Sequence, residues 1–575
     1  MAIEFGLQEL TLAGGVTLNP PRDGMTVFFG PNNSGKSVLL RELSLGLGGA
    51  VNSTPRWVMQ VVPYHRGGGE DLIDWMHDNG HPSTPHHELG GVLYSLDLRS
   101  GGASHTKDTL MSAWENQQYS ALGGLLITQE LTEARLENRT VSTNWNRSHP
   151  PTDAVQVITE SRDIQDRLSN LMYRAFSKRI ALNREGAELI LKIGEIGIPE
   201  GPYPLSPEVR RAYDLLPEVR EQGDGLRSFM NLILATMLRP TPVIVIDEPE
   251  AFLHPPQARL LGRLLAEETP SPCQLFVATH SADFLAGVLE ADHKPVSLVR
   301  LDRSTGTPQA KVLPQEDLAG ILNTPLLRYS NIIAGLFHDA VVLCEGAGDA
   351  QFYAATFDAI RGSDPHNNIV FLHTGGKEPL ADAARRLRQC GIPVAVITDL
   401  DLLNSEYHTR RAFENLGGEW DTSTAADFKL LTHATSHKAP LPTREALAQE
   451  LETALDGLEA ESQLTAFHAA KIKALLKEPT GWRTLKKSGI ENLNQDGPLA
   501  DQPAYQATQR LLTQAAAIGL FPMPDGELES WHPDVPRKEK AEWLRQVFAQ
   551  DGPYKNPSPS LRAFCAQITD YLFPQ

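Results

Sequence analysis

The sequence predicts an α/β protein with two successive parallel-sheet domains, the second broken by a helical insertion. Three features carry that prediction. Apolar runs such as Val243–Ile246 and Gln274–Ala278 are short and unbroken, which suits strands buried on both faces. A glycine-rich loop follows the apolar strand Met25–Phe29 and feeds a helix starting near Lys36. From Ala340 onward, strand patterns alternate with helical ones, and parallel strands need such crossovers.

Bulk properties bound the rest. The chain has 575 residues, more than one hydrophobic core usually supports, so two or three domains are expected. With 41% hydrophobic and 21% charged residues it can bury real cores and is not a disordered chain. A formal charge of −19 argues against indiscriminate coating of nucleic acid, which needs Lys and Arg against phosphates. Local basic patches remain: Lys178-Arg179, Arg385-Arg386 with Arg388, Lys486-Lys487, and Arg537-Lys538 with Lys540. Read singly, each is more often a solvated helix face. Four cysteines, Cys273, Cys344, Cys390 and Cys565, show no C-x-x-C spacing, so neither a zinc site nor a disulfide framework is indicated. No basic-then-apolar leader and no membrane-length apolar run is evident, and a cytoplasmic protein without a membrane partner is expected.

Taken in order, Ile3–Val16 reads as short strands with a Gly14-Gly15 turn, followed by the Pro20-Pro21 break. An elaboration of the first domain spans about 51–220, with strands expected at Gly91–Leu98 and Leu125–Leu131 and a helix at Asp163–Ala181. A helix over Gly225–Leu238 precedes the strand Val243–Ile246. Asp317–Leu327 reads as a connecting helix, and the first domain is placed at 1–330. The second begins near 335 and runs to 403 as strand Ala340–Cys344, helix Gln351–Ile360, strand Ile369–Leu372, helix Leu380–Cys390 and strand Val394–Thr398. Residues 404–520 form the helical insertion, including Arg444–Leu458 and Leu464–Lys477, and 521–575 return to the second domain with helices at Lys538–Ala549 and Ser560–Leu572.

Gly30-Pro31-Asn32-Asn33-Ser34-Gly35-Lys36-Ser37 is a complete G-x-x-x-x-G-K-S phosphate loop between a strand and a helix. Its glycines turn backbone N–H groups toward phosphates, Lys36 neutralises the β/γ oxygens, and Ser37 supplies a Mg²⁺ ligand. Val243–Ile246 ends in Asp247-Glu248, where Asp247 would hold Mg²⁺ through water and Glu248 would polarise the attacking water. The continuation Pro249-Glu250-Ala251-Phe252-Leu253-His254-Pro255 resembles the ABC-type ATPases of the SMC, RecF and OLD (overcoming lysogenization defect) group. That resemblance implies a γ-phosphate-sensing switch at His280, in Thr279-His280-Ser281. It also implies a signature loop at Gln222–Ser228, with Gly223 and Gly225, that reaches ATP on a second subunit, hence a homo-oligomer, a dimer or a tetramer of dimers through the ATPase heads. Gln117 and Gln129 are alternatives for the Q-loop.

A second carboxylate set follows. Strand Ala340–Cys344 ends in Glu345-Gly346-Ala347-Gly348-Asp349, and strand Val394–Thr398 ends in Asp399-Leu400-Asp401. Clustered carboxylates repel one another, and hard divalent cations such as Mg²⁺ or Mn²⁺ relieve that repulsion. Two such ions can drive in-line attack on a phosphate. The pattern E-G-x-x-D then D-x-D resembles the Toprim domain of topoisomerases, DnaG-type primases and OLD nucleases. The resemblance to OLD nucleases further implies a Gly-Gly-Lys turn at Thr374–Lys377 and a late acid in Asp525-Gly526-Glu527-Leu528-Glu529, assigned to Glu529 with Glu527 behind it. It also implies a phosphate-stabilising lysine, for which Lys538, Lys540 and Lys555 compete and Lys555 is preferred.

The chain is thus identified as a member of the OLD family, an ABC/SMC-like P-loop ATPase followed by a Toprim Rossmann-like domain, with the Gabija-type nuclease subunit a related layout. The resemblance implies an ATP-regulated, Mg²⁺- or Mn²⁺-dependent DNA endonuclease acting in anti-phage defence, with an accessory defence protein as a further partner. The alternative is a RecF- or SMC-like DNA-repair ATPase whose Toprim domain only docks. A transporter head would require a membrane partner. A topoisomerase needs a DNA-gate tyrosine module, and a primase a template-binding module that is often zinc-bearing; the sequence shows neither.

Overall fold

The computed structural model describes residues 3–49, 54–81, 83–86, 91–95, 104–201, 204–238, 241–291, 294–303, 306–313, 332–362, 368–436, 443–455, 463, 465, 468–469, 472, 481–536, 539–550 and 552–574. The chain divides into two units, one holding Met1–Asn323 with Leu336–His338, the other Thr324–Gly335 with Asp339–Gln575.

In the first unit a six-stranded sheet runs in the order 309–313, 296–302, 24–29, 274–279, 243–247, 127–130. All its pairings are parallel except Val296–Asp302 with Gln309–Leu313. Strands Gly24–Phe29, Val243–Asp247 and Gln274–Thr279 are buried throughout, which is why their sequences are apolar without alternation. Helix Lys36–Leu47 buries Leu39, Leu40, Leu43 and Leu47, a helical repeat that joins the core shared with strand Glu4–Leu12. Glu4–Leu12 pairs antiparallel with Thr17–Leu18 and Val58–Arg66.

Helices Pro255–Glu268 and Ala282–Leu289 cross at two glycines. A Cβ on Gly262 would overlap the Phe284 carbonyl, and one on Gly287 would overlap the Arg259 carbonyl. Helix Pro255–Glu268 follows strand Val243–Asp247 and helix Ala282–Leu289 follows strand Gln274–Thr279, so this close crossing ties together the helices that continue from Glu248 and His280.

The second unit holds a four-stranded parallel sheet in the order 369–373, 340–344, 394–398, 520–522. Helices Ala347–Arg361, Lys540–Val547 and Pro559–Leu572 close one core with Phe352, Tyr353, Trp531, Trp543 and Phe564. The insertion leaves after Thr398 and returns at Leu520, on the neighbouring strand. It has its own core, in which helices Thr422–Ser436, Gly481–Ser488 and Gln502–Ala517 bury Phe428, Leu431, Leu485, Ala504 and Leu511 with Leu400 and Leu403.

Several expected boundaries shift. The helix predicted over Asp163–Ala181 is Arg162–Phe176; Ser177 takes a left-handed cap (φ 55°), and Ile180–Asn183 is a strand paired with Glu188–Ile193. The strand expected at Leu125–Leu131 starts as a helical turn and becomes extended only over Ile127–Glu130. The helix expected from Gln351 begins at Ala347, because the Asp349 carboxylate accepts the Gly346 N–H at 3.0 Å and caps the first turn. Asp317–Leu327, Arg537-Lys538 and nearly all of Leu464–Lys477 lie outside the described residues. Among the described residues, no helix is long and apolar enough to cross a membrane.

Gly287→Ala should overpack the helix crossing and lower stability by about 1–3 kcal/mol, read as a lower urea midpoint with unchanged slope.

Candidate functional site

Parallel register brings the nucleotide motifs to one sheet edge. Phe29, which precedes the phosphate loop, stands opposite Thr279, and Asp247 stands opposite Ala278. This carboxyl end of the strands is the usual ligand edge of such sheets. Gly35 caps helix Lys36–Leu47 with φ 94°, a left-handed turn that favours glycine. Gly30 is equally constrained at φ 146°. The Lys36 ammonium curls back to the carbonyls of Gly30 and Pro31, both at 2.9 Å, and to the Ser34 hydroxyl at 3.4 Å. Burial pushes its pKa down, against the pull of Glu248, Glu250 and Asp247. Asn32 and Asn33 sit in the exposed turn of the loop, Asn33 with φ 62°.

Asp247 is buried and its pKa is raised by burial, although the Ser37 hydroxyl bonds to it. Its Oδ1 has no hydrogen-bond partner, and with Ser37 adjacent this pair suits a hydrated Mg²⁺. Glu248 occupies a left-handed backbone conformation (φ 49°), an uncommon one for a side chain of its size. His280 Nδ1 lies 3.4 Å from Glu248 Oε1 and 3.3 Å from Glu250 Oε1. Glu250 accepts from the Thr279 hydroxyl at 2.8 Å and the His280 N–H at 3.0 Å, and its burial raises its pKa.

Sequence reasoning missed Arg135. It is fully buried, and its Nη2 donates to the carbonyls of Asp247 at 3.1 Å and Glu248 at 2.8 Å, pinning the turn after the strand. Asn231, on the helix that starts after Gly223, donates to the carbonyls of Arg135 at 2.6 Å and Glu137 at 2.9 Å. The predicted signature loop is therefore tied to the Asp247–Glu248 turn through the 134–137 segment. Gly223 caps helix Asp224–Ile233, and Gly225 packs on the Phe252 carbonyl. Of the Q-loop alternatives, Gln129 lies on the edge strand opposite Val245 and Gln117 sits in a left-handed turn.

In the second unit, Glu345 Oε1 accepts the Asp399 N–H at 3.2 Å, so the ends of two adjacent strands touch. Burial raises Glu345 to about 7, with Asp399 and Asp401 adding to the rise and Lys377 opposing it. Burial raises Asp399 to about 6, helped by Asp349 and opposed by Lys540. Burial also acts on Asp401, but Lys377 and Lys486 outweigh it and hold this group below the ordinary aspartate range. Lys377 is bonded to Asp401 Oδ1, Lys486 donates to Asp401 Oδ2 at 3.2 Å, and Lys540 donates to Asp349 Oδ1 at 2.6 Å. Glu529 lies within electrostatic range of Lys540, and Glu527 within that of Lys486. The segment carrying them is stitched to the D-x-D loop, because the Leu400 N–H donates to the Gly526 carbonyl at 2.8 Å and the Met523 N–H to that of Thr398 at 2.9 Å.

The oxygen donors are of the type hard divalent cations take. As the side chains stand, however, no three of them come together closely enough, among the described residues, to hold a metal ion. Lys377 and Lys486 pair with Asp401, and Lys540 pairs with Asp349.

Comparison with known proteins now separates the two halves. The family described as "AAA domain, putative AbiEii toxin, Type IV TA system" matches residues 139–286. The family "Overcoming lysogenization defect protein-like, TOPRIM domain" matches residues 336–401. The chain joins an AAA-type ATPase domain to an OLD-like Toprim domain. Old nuclease of Escherichia phage P2 is 27% identical over 169 residues, and the match spans only 28% of this chain and 28% of that protein. OLD nuclease of Thermus scotoductus is 24% identical over 446 residues, 66% of this chain and 79% of that protein. A solved Smc head domain with an extended coiled coil, derived from Pyrococcus furiosus, is 12% identical with a TM-score of 0.32, covering 56% of this chain and 99% of that one.

Within the Toprim domain the candidate lysines differ in placement. Lys555 is exposed and turned to the Gln550 carbonyl, whereas Lys540, one of its rivals, reaches Asp349. Spacing could not choose between them, because a 3-10 turn and a helix intervene between Glu529 and Lys555. Of the basic patches, Arg388 is spent inside the fold, donating to the carbonyls of Leu416, Val394 and Ile518 and to the Tyr571 hydroxyl. Lys178 bonds Gln222, and Arg179 reaches Glu195.

Arg135→Met should leave the Asp247 and Glu248 carbonyls short of a buried donor and cost about 1–3 kcal/mol in urea unfolding.

Proposed function

We propose that this protein is an ATP-regulated DNA nuclease of the OLD type that hydrolyses phosphodiester bonds at its Toprim domain with Mg²⁺ or Mn²⁺. The observation that carries the reading is the pair of half-buried carboxylates with raised pKa values at one sheet edge, Glu345 and Asp399, joined through the Asp399 N–H, flanked by Asp349, Asp401 and Glu529 and ringed by lysines. The matching family and the names of the two relatives point the same way.

Glu345, Asp399 and Asp401 would hold the divalent ions, with Asp349 and Glu529 at the margin. Bound there, such ions activate water and stabilise the departing 3′ oxygen. The chain's own part is to gather the carboxylates and to face the phosphate with Lys540 and Lys377, which now neutralise Asp349 and Asp401. At the ATPase domain, Lys36 would take the β/γ-phosphates, Ser37 and Asp247 would hold Mg²⁺, Glu248 would orient water and His280 would face the γ-phosphate. Gly223 and Gly225 would complete the site on a second copy, making the working form a homo-oligomer. Action against phage DNA, in the cytoplasm and with an accessory protein, is the biological role the family resemblance implies.

One observation favours the rival reading of a docking Toprim domain in a DNA-repair ATPase: lysines, rather than a ready metal cage, occupy the acidic edge. Supercoiled plasmid incubated with Mg²⁺ or Mn²⁺, with and without ATP, separates the two. Glu345→Ala should slow nicking by at least about a hundredfold, the scale of losing several kcal/mol of metal-derived stabilisation, while nucleotide binding persists. An intact plasmid with wild-type protein under every condition would leave the docking reading. Lys36→Ala should weaken ATP binding without touching the Toprim edge, and Glu248→Gln should retain ATP if the protein hydrolyses it.

A further inference from the structure

The helical insertion has no role in the reading above, yet it delivers a charged group to the Toprim edge. Helix Gly481–Ser488 ends against the late acidic segment, where backbones meet with no room for side chains. A Cβ on Gly526 (φ 104°) would collide with the Lys486 carbonyl, and one on Gly489 (φ 79°) with the Pro524 carbonyl. The Ile490 N–H donates to the same Pro524 carbonyl at 2.9 Å. Because Gly526 also accepts from Leu400 in the D-x-D loop, the Lys486 backbone is fixed relative to both acidic segments.

From that fixed point the Lys486 ammonium reaches Asp401 at 3.2 Å and stands within electrostatic range of Asp399 and Glu527. Asp401 carries a second ammonium, that of Lys377. The two lysines take one Asp401 oxygen each, Lys377 on Oδ1 and Lys486 on Oδ2, so a dication arriving at this carboxylate must displace at least one of them. The Lys486 side chain is the more exposed, 42% against 30% for Lys377, and its flexible stem can swing outward.

We infer that Lys486 is a displaceable counter-ion of the Toprim site: it holds Asp401 before metal enters, and once displaced it binds a backbone phosphate of the nucleic-acid strand. The insertion is thereby part of the substrate-binding surface. This rests on the nuclease reading for the identity of the strand, but not for the competition with metal.

The test uses the full-length protein, with wild type, Lys486→Met and Lys486→Arg compared in two measurements. Mn²⁺ alone, titrated by the paramagnetic signal of the free ion, should bind Lys486→Met roughly two- to fivefold more tightly than wild type, the worth of an exposed ion pair removed. Binding of a fluorescein-labelled duplex oligonucleotide in Ca²⁺ should weaken, and the slope of log affinity against log salt should fall by about one, the signature of a single lost phosphate contact. Lys486→Arg should restore both toward wild type. A lysine needed only for folding would weaken metal and DNA together and leave the salt slope unchanged. Unchanged or weaker Mn²⁺ binding, an unchanged slope, or absence of DNA binding by wild type would each overturn the inference. Should wild type bind Mn²⁺ and DNA but leave plasmid uncut, the nuclease reading fails while the two titrations still decide the role of Lys486.

Discussion

Repulsion among half-buried carboxylates is the constraint around which the C-terminal half is arranged. Glu345 and Asp399 lie on adjacent strands, joined by a hydrogen bond from one backbone to the other's side chain, and burial alone disfavours their charged forms. Such a grouping persists only where positive charge compensates it. The chain recruits that charge from three separated segments: the Gly-Gly-Lys turn, the insertion helix and the helix after the late acids. Lysine suits this better than arginine, since a compact ammonium on a flexible stem can yield its place to another cation.

The N-terminal half solves a different problem, that of holding a short, strained turn still. Glu248 departs from the usual backbone region immediately after a buried strand. Two devices restrain it. Arg135 grips the two carbonyls of the turn from below, and the glycine-to-carbonyl crossing of the following helices limits their motion. Asn231 extends the first device to the helix behind Gly223, so the turn and that helix are linked by buried hydrogen bonds through Arg135.

Much of this was legible in the text of the chain. Uniformly apolar strands, the phosphate loop and the paired acidic strand ends are local patterns whose chemistry demands their spacing, and parallel register then brings each set to one edge of its own sheet. What was illegible depends on tertiary closure. Arg135 is one arginine among many until the fold buries it. Lys540 and Lys555 differ only in which way the chain turns after Glu529. The halt of a helix at Phe176, where the periodic pattern ran on to Ala181, reflects a left-handed cap at Ser177 that frees Ile180–Asn183 to pair with Glu188–Ile193. Asp349 has a double duty that spacing alone did not suggest, capping its own helix while receiving Lys540.

The insertion leaves at Thr398 and returns at Leu520 on a neighbouring parallel strand in which Thr398 stands opposite Pro522, so its two stems are roughly 8 Å apart, one strand spacing across and two residues along. A crossover of a dozen residues or more is all that parallel geometry demands at that point. Closing a longer loop adds little entropy cost, so the sheet sets no tight limit on the chain between these strands. The demands on the insertion come from what it packs against, Leu400, Leu403 and the Gly526 turn, rather than from how it is tethered.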